Sequence, residues 1–393
     1  MIKKYITTLL CVIGVSPLFA QNTIEDVLKQ IEENNPQIKS VEHLATAEKG
    51  ETRATNNLAN PTVSYAHLWD SKDSGLTESE LEVAQSFEFP TAYIYRRKAN
   101  KEKVSAIEAY ALAQRQDILL QAKDICLDII KLNQEKKILD QQFTYANHLL
   151  GAYNKMIEAG DATSLELNKV KLELLNIKSE HAINKSNLQK KEAELLAMNG
   201  NKEIVHHLTD YPAMTPLPSF EIIKEEVLAN SFNVQAAQSE HAAARRQIAV
   251  NKAGWLPNLE VGYRRNSGDG NRSNGFMVGV SLPIFNNRGK VGAAKATELS
   301  KRFLIEETQN TLSSESYQAY QEAVTMQEQL KAYDDSFDIE TNLSLLNQAL
   351  EGGEISMTAY FVEAATVYQS ALNYIQLSNL YQKGIAQLYK HRL

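Results

Sequence analysis

The sequence predicts a mostly helical protein with a small antiparallel β part, built as a duplicated helix-hairpin-helix repeat. Two proline-free stretches, from Thr91 to Tyr211 and from Ile284 to the end, are rich in Ala, Leu, Glu, Lys and Gln, which lose least on entering a helix. Four short segments next to prolines instead alternate apolar and polar residues with the period of two that is typical of strands. The same order of features occurs twice, which indicates two copies of one architecture.

The duplication is visible in the spacing of prolines and glycines. Three pairs recur at nearly constant spacing: Pro61 and Pro257 at 196 residues, and Pro90 with Pro283 and Gly160 with Gly353 at 193. The small difference falls between the two strands of each copy, where loop lengths vary most easily. We therefore predict a first repeat over residues 21–210, with a hairpin over 62–89, and a second over 211–393, with a hairpin over 258–282.

The N-terminus has the pattern of a secretory signal peptide. Lys3 and Lys4 precede an apolar run, and Ala20 ends the segment, so we predict a signal over residues 1–20. After it there is no run of eighteen apolar residues and hence no candidate spanning helix. The mature chain is then either soluble after export or inserted in a membrane as a barrel.

Composition argues against several classes of protein. Cys126 alone remains after cleavage, which leaves no intramolecular disulfide, and its apolar helical neighbours predict a buried, inert thiol. The net charge is −7 with scattered basic residues, so we predict no nucleic-acid partner. The histidines lack metal-ligand spacing and no glycine-rich phosphate loop precedes a helix. We expect no enzyme activity, no catalytic or metal site and no cofactor.

Each repeat is predicted to contain one very long helix and two shorter ones. The long helices run from about Thr91 to Ile157, roughly 100 Å at 1.5 Å per residue, and from Arg288 to Glu351. The shorter helices of the two copies cover about 34–57, 163–199, 220–253 and 356–393. A heptad seam of Leu167, Val170, Leu174 and Ile177 indicates that such helices need lateral helical neighbours.

The strands of both copies have one apolar face and one face of small and charged residues. The apolar face carries Val63, Tyr65, Val83, Phe87 and Phe89 in the first copy, and Leu259, Val261, Phe276, Val280 and Leu282 in the second. This pattern suits a barrel wall with lipid outside and water inside. The alternative is a pair of hairpins that cover one end of a helical bundle. Because four strands cannot close a barrel, the first interpretation requires an oligomer.

Turn residues follow the long helix of each copy. Gly160 and Gly353 are predicted to end these helices in left-handed geometry. Thr163 and Ser356 are placed to cap the helices that follow, and Glu166 would complete a capping box with Thr163. These segments are therefore helix-turn-helix tips.

Several segments together resemble the TolC-like outer-membrane efflux channel family. They are Asn35-Pro36, the tip segments 158–166 and 351–356, and the strand regions Gly254-Trp255-Leu256-Pro257-Asn258-Leu259-Glu260-Val261-Gly262-Tyr263, Gly275–Phe285 and Gly289–Ala296. The resemblance covers essentially the whole mature chain. Its order is more specific than any single motif.

The resemblance implies a trimeric channel. Each chain would be one third of a homotrimer and supply four strands to a 12-stranded β-barrel in the outer-membrane lipid of a Gram-negative-type cell. Its helices would form a long α-helical barrel in the periplasm, where a periplasmic adaptor (membrane fusion) protein and an inner-membrane pump dock at the tip. The implied function is a passive exit duct of a tripartite efflux pump or a type I secretion system.

Two other classes remain open at this stage. The chain could be an exported coiled-coil structural or adhesive protein whose hairpins cap a bundle. It could also be an adaptor, although adaptors insert one helical hairpin between β-rich domains, whereas this chain has two hairpins and only four strands.

The tip turns are the candidate functional residues. By the resemblance, Gly160, Asp161, Thr163, Gly353, Glu354 and Ser356 would form the periplasmic mouth that contacts the adaptor. Threefold symmetry would make Asp161 and Glu354 a ring of carboxylates that attracts cations. Solvated turn acids are the plainer interpretation.

Overall fold

The computed structural model describes residues 23–69, 77–160, 162–268, 270–336 and 338–393. The predicted signal peptide, residues 1–20, lies outside this part of the chain. In chain order the elements are α1 (Ile24–Asn34), α2 (Pro36–Ala54), β1 (Thr62–Trp69), β2 (Thr77–Phe87), α3 (Pro90–Ala159), α4 (Ser164–Met198), α5 (Phe220–Asn230), α6 (Phe232–Ala253), β3 (Asn258–Gly268), β4 (Asn271–Ser281), α7 (Lys290–Ser336), α8 (Ile339–Glu351), α9 (Met357–Leu388) and a 3₁₀ turn (Lys390–Arg392). A mostly helical chain with a small antiparallel sheet is confirmed.

The chain divides into two compact units. Within the described residues, one comprises 23–34 and 125–211, and the other 35–124 and 212–393. In the first unit, Leu174 and Ile177 of the predicted seam pack with Ala146 of α3, and Cys126 is fully buried as predicted. In the second, α7 packs on α5, α6 and α9, with Ile223, Val227, Ala323, Leu330, Tyr381 and Leu388 in its core.

The four strands form one sheet in the order β1-β2-β3-β4, with every neighbouring pair antiparallel. Each predicted hairpin is therefore present, and β2 joins them by pairing with β3. In that junction Phe87 lies opposite Leu259, and Val83 lies opposite Tyr263. Among the described residues β1 and β4 have only one partner strand each, so both outer edges of the sheet are open.

The shorter helices are interrupted at matching places in the two copies. Asn35 caps α2 by accepting hydrogen bonds from the backbone N–H groups of Gln37 and Ile38, at 2.8 and 3.0 Å. Ser231 separates α5 from α6 and accepts from the Val234 N–H. The prediction of one continuous helix over 220–253 was therefore wrong. The first N–H groups of a helix have no partner within it, and the side-chain oxygens of Asn35 and Ser231 accept hydrogen bonds from such groups. Both residues therefore favour the start of a new helix.

The two long helices differ. The first is confirmed as a single helix of 70 residues, Pro90–Ala159. The second was predicted wrongly, because α7 ends at Ser336 and α8 begins at Ile339. Asp338 lies in extended geometry, and its carboxylate accepts from the Glu340 N–H at 3.0 Å and from the Thr341 hydroxyl. Asp and Ser compete with helical hydrogen bonds in this way, and they are concentrated in this stretch.

Candidate functional site

The antiparallel register places the predicted outward residues on one face of the sheet. Directly opposed residues share a face, and one row runs from Val63 to Val83, then to Tyr263 and to Phe276. The neighbouring rows add Tyr65, Phe87, Leu259, Val261 and Val280 to this face. Phe89 and Leu282 lie one or two residues beyond the strand ends. The apolar face is thus continuous across all four strands.

This apolar face is uncovered in the described part of the chain. Phe276 is 91% exposed, Val278 76% and Val63 68%. A hairpin that capped a helical bundle would bury these side chains in the bundle core. Large contiguous apolar patches of this kind mark contact with a membrane or another protein.

The opposite face of the sheet carries charges. Arg264 of β3 bridges two carboxylates of β2, with Nε 2.9 Å from Glu80 and Nη2 2.8 Å from Glu82. Gly262 on the same face allows close approach, because a Cβ there would meet the Val83 carbonyl oxygen at 3.0 Å. The sheet therefore presents an ion-paired polar face and an apolar face on opposite sides.

Exposed apolar and aromatic residues also gather where the strands meet the helices, a feature that the sequence analysis did not assign. They are Leu58, Tyr95, Trp255, Ile284 and Phe285, and Phe285 is 89% exposed. Aromatic residues at the ends of an apolar band are typical of membrane interfaces. The available signal was the position of Trp255 and Phe285 beside Pro257 and Pro283, at the start and end of the second hairpin.

The first tip turn has the predicted local geometry. Gly160 has a φ of +84°, and Thr163 and Glu166 form a complete capping box. The Glu166 carboxylate accepts from the Thr163 N–H at 2.8 Å and from its hydroxyl at 2.7 Å. These bonds favour the charged form and lower the pKa of Glu166. Asp161 lies outside the described residues.

The second tip turn has the same plan. Gly353 has a φ of +72°, and the Glu354 N–H donates to the Ala349 carbonyl at 2.9 Å, which closes the end of α8. The Ser356 hydroxyl accepts from the Ala359 N–H at 3.2 Å and so caps α9. The caps and glycine geometries are confirmed, whereas the adaptor contact of these turns stays a prediction.

Other classes of site find no support in the residues that the structure describes. They contain no group of three or more His, Cys, Asp and Glu that could hold a metal ion. The adjacent His206 and His207 belong to no such group, and burial lowers the pKa of His206. Over the same residues, no helix is both long and apolar enough to cross a membrane.

Comparison with known proteins gives a consistent result. Residues 223–391 match the family model described as "Outer membrane efflux protein". No curated protein matches the chain.

Solved structures share the fold over almost the whole chain. A membrane protein from Pseudomonas aeruginosa is 17% identical with a TM-score of 0.75, covering 94% of this chain and 93% of its own. The outer membrane protein VceC from Vibrio cholerae is 14% identical with a TM-score of 0.74, covering 94% and 95%. The Campylobacter jejuni CmeC outer membrane channel is 15% identical with a TM-score of 0.76, covering 94% and 85%.

The family match over residues 223–391 and the shared fold both support the predicted resemblance to TolC-like outer-membrane efflux channels, and with it the predicted location in the outer membrane with extension into the periplasm. At these identities the structural likeness shows the fold alone. The family is one of channels rather than of enzymes.

Proposed function

We propose that the chain is one protomer of a trimeric exit duct, because residues 223–391 match the outer membrane efflux protein family. After cleavage of residues 1–20, the repeats 21–210 and 211–393 each contribute one hairpin to a 12-stranded barrel. The helices continue the duct through the periplasm to an adaptor and an inner-membrane pump. The duct works passively and without catalysis, in a tripartite efflux pump or a type I secretion system.

The observation that carries this proposal is the exposed apolar face that crosses all four strands, with an ion-paired face behind it. Lipid outside and water inside satisfy both faces at once. β2, β3 and β4 each have 11 residues, about 36 Å at 3.3 Å per residue. At a tilt of about 45° they span about 26 Å, close to the apolar band of such barrels, about 25 Å tall.

The open edges of the sheet support an oligomer. In hydrocarbon each unpaired backbone N–H or C=O costs several kcal/mol, and open edges do not occur there. Within the described residues β1 and β4 leave one side of their backbones unpaired, and four strands are too few to curl into a closed barrel. Pairing β1 of one copy with β4 of the next closes the wall. The number three comes from the family resemblance.

The alternative of an exported structural or adhesive protein receives less support. It requires Val83, Phe276 and Val280 to lie in a protein core, yet Phe276 is 91% exposed and Val280 60%. Secreted proteins in water rarely leave such a patch uncovered.

We assign the tip turns to the periplasmic mouth. Gly160, Thr163, Gly353 and Ser356 shape the turns, and Glu354 is exposed. With threefold symmetry, Asp161 and Glu354 supply six carboxylates at the entrance, which favours cations. Reconstituted channels with both Asp161→Asn and Glu354→Gln are expected to lose cation preference. Retained preference in single-channel reversal potentials would exclude the ring without affecting the duct itself.

Membrane fractionation tests the function directly. We expect the full chain in the outer membrane, extracted in mild detergent as a trimer that heat converts to monomers, and conducting after reconstitution into planar bilayers. Deletion of the gene should raise the cellular retention of the exported compound or protein. A soluble monomer in the periplasm or medium would overturn the proposal.

A further inference from the structure

A cationic groove lies between the C-terminal end of α2 and the first turns of α3. Its volume is about 910 Å³. Its lining includes four cationic residues, Arg53, Arg97, Lys98 and Lys101. The apolar Ile94 and Val104 line it as well. All of these residues belong to the same compact unit, so the groove is formed within it.

The groove cations are not neutralised by the protein. Across the described ranges none of the four has an ion-pair partner. Their neighbours do, since Lys49 pairs with Glu108 at 3.1 Å and Arg96 pairs with Glu88 at 2.5 Å. Lys101 also lies three and four residues after Lys98 and Arg97, where like charges on a helix repel. An anion in the groove would relieve that repulsion.

Arg96 and the groove cations project to different sides of α3. The partner of Arg96, Glu88, continues the alternation of β2 on the charged side of the sheet, with Glu82 and Ser86. At about 100° per residue, Lys98 and Lys101 project about 200° and 140° around α3 from Arg96. Lys98 and Lys101 therefore project away from Arg96 and from its partner Glu88.

The groove is also close to the sheet. α3 begins at Pro90, three residues after the end of β2. At 1.5 Å per residue Arg97 lies about 10 Å and Lys101 about 17 Å along α3. Helical side chains lean toward the N-terminus of their helix, here toward the sheet. Long basic side chains can therefore extend toward a headgroup layer bordering the apolar face.

We propose that this groove binds the phosphate-bearing headgroup of an anionic phospholipid, in the membrane leaflet next to the helical part of the protein. The inference rests on the proposed insertion of the sheet in a membrane. Arg97, Lys98 and Lys101 supply the charge, and Ile94, 54% exposed, contacts the start of an acyl chain. Basic residues at a membrane surface attract anionic lipids in this way.

The duplication does not account for the groove. The residues 193 positions after Arg97, Lys98 and Lys101 are Lys290, Val291 and Ala294, which keep only one of the three charges. The second repeat therefore does not reproduce this set of charges, and the proposed trimer would carry three copies of the groove described here.

Native mass spectrometry of the purified full-length trimer tests the proposal. Phosphatidylglycerol is titrated in a neutral detergent, with phosphatidylcholine in a parallel series. Each basic residue at a membrane surface is worth about fivefold in affinity, so the triple variant Arg97→Gln, Lys98→Gln, Lys101→Gln should bind the first three phosphatidylglycerol molecules about a hundredfold more weakly. Phosphatidylcholine binding should not change.

A matched control removes the same charge from the same helix. Lys136, Lys137 and Lys155 are exposed residues of α3, and their triple replacement by Gln should leave phosphatidylglycerol affinity within twofold of the original. Should the groove variant not assemble, the single variants Lys98→Gln and Lys101→Gln replace it, each with a loss of about fivefold.

Three results would overturn the lipid site. The first is a groove variant that retains its affinity for phosphatidylglycerol. The second is a control variant that loses as much of this affinity as the groove variant does. The third is displacement of phosphatidylglycerol by inorganic phosphate at equal concentration, which would indicate a site for free anions. Each leaves the proposed duct intact as long as the trimer forms and conducts. A protein that forms no membrane trimer instead refutes the duct.

Discussion

Replacement of Val278 by Arg tests which face of the sheet meets lipid. Val278 is 76% exposed on the apolar face and lies two residues from Phe276, the middle residue of β4. Two residues advance about 7 Å along the strand and about 5 Å in depth at a tilt of about 45°. An Arg on the lipid face costs about 2–4 kcal/mol at the membrane midplane and about 0–1 kcal/mol at the interface. We expect a loss of about 2–3 kcal/mol per protomer.

Gly279→Arg is the matched control. Gly279 is the next residue and faces the charged side of the sheet opposite Glu260. A Cβ there meets the Glu260 Cβ at 3.4 Å, an ordinary contact, so the new guanidinium fits beside a carboxylate. We expect less than about 1 kcal/mol of destabilisation, the usual range for charges in polar, hydrated surroundings.

The assay is urea unfolding of the protein refolded into phosphatidylcholine vesicles, with the thermal loss of the trimer band as a second readout. Val278→Arg should destabilise the protein strongly and Gly279→Arg only slightly. Equal effects, or the reverse order, would show that the apolar face does not lie in hydrocarbon.

Three further predictions concern the helical part. Leu330→Ala should lower the free energy of unfolding by about 2–5 kcal/mol, because Leu330 is fully buried. Gly160→Ala should destabilise by about 1 kcal/mol, because an alanine is strained at a φ of +84°. Hydrogen bonds from His391 and Arg392 lower the pKa of Glu226 from 4.5, so its stabilisation is present above pH 4.5 and lost as the pH falls through the lowered pKa. The free energy of unfolding of Glu226→Gln should therefore fall less than that of the original chain as the pH is lowered.

Each of these has a control in the chain. Leu345 is 59% exposed, so Leu345→Ala should leave the free energy of unfolding in urea nearly unchanged. Leu330→Ala should lower it under the same conditions. Gly151 lies inside α3 with open space at its Cβ position, so Gly151→Ala should stabilise by about 0.5–1 kcal/mol, opposite in sign to Gly160→Ala. Glu225→Gln should leave the acid dependence of the unfolding midpoint unchanged, and an equal change in both Glu variants would refute the role of Glu226.

Local patterns were sufficient wherever the deciding contacts are local. The alternation around Val83 and Phe276 predicts strands, because the period of two is a backbone property. Thr163 with Glu166, and Gly160 with its left-handed geometry, involve residues within one turn of each other. The interruption at Asp338 was missed because an aspartate in a helix-rich sequence can cap a new helix or lie within a continuous one. The nearby Ala and Leu residues favour a continuous helix.

Features that depend on distant residues were beyond sequence patterns. Pairing of β2 with β3 brings Val83 opposite Tyr263, and no residue near either strand specifies that choice. The groove at Arg97 requires α2 beside α3, so its cations resemble any solvated helix face in the sequence. Trp255 and Phe285 flank the second hairpin, and they join Leu58 and Tyr95 of the first copy only once both hairpins share one sheet.

The junction between β2 and β3 has a consequence for how the molecule is made. Glu78 pairs with Gly268, so pairing of β2 with β3 closes a loop of nearly two hundred residues. The loss of chain entropy on closing that loop opposes the pairing until enough contacts form between the two strands. The helices can form while the chain is still being exported, but the sheet must wait for the second hairpin. Until then the unpaired strand edges of the first hairpin are exposed, so we expect sheet formation to be the slow and aggregation-prone step of folding.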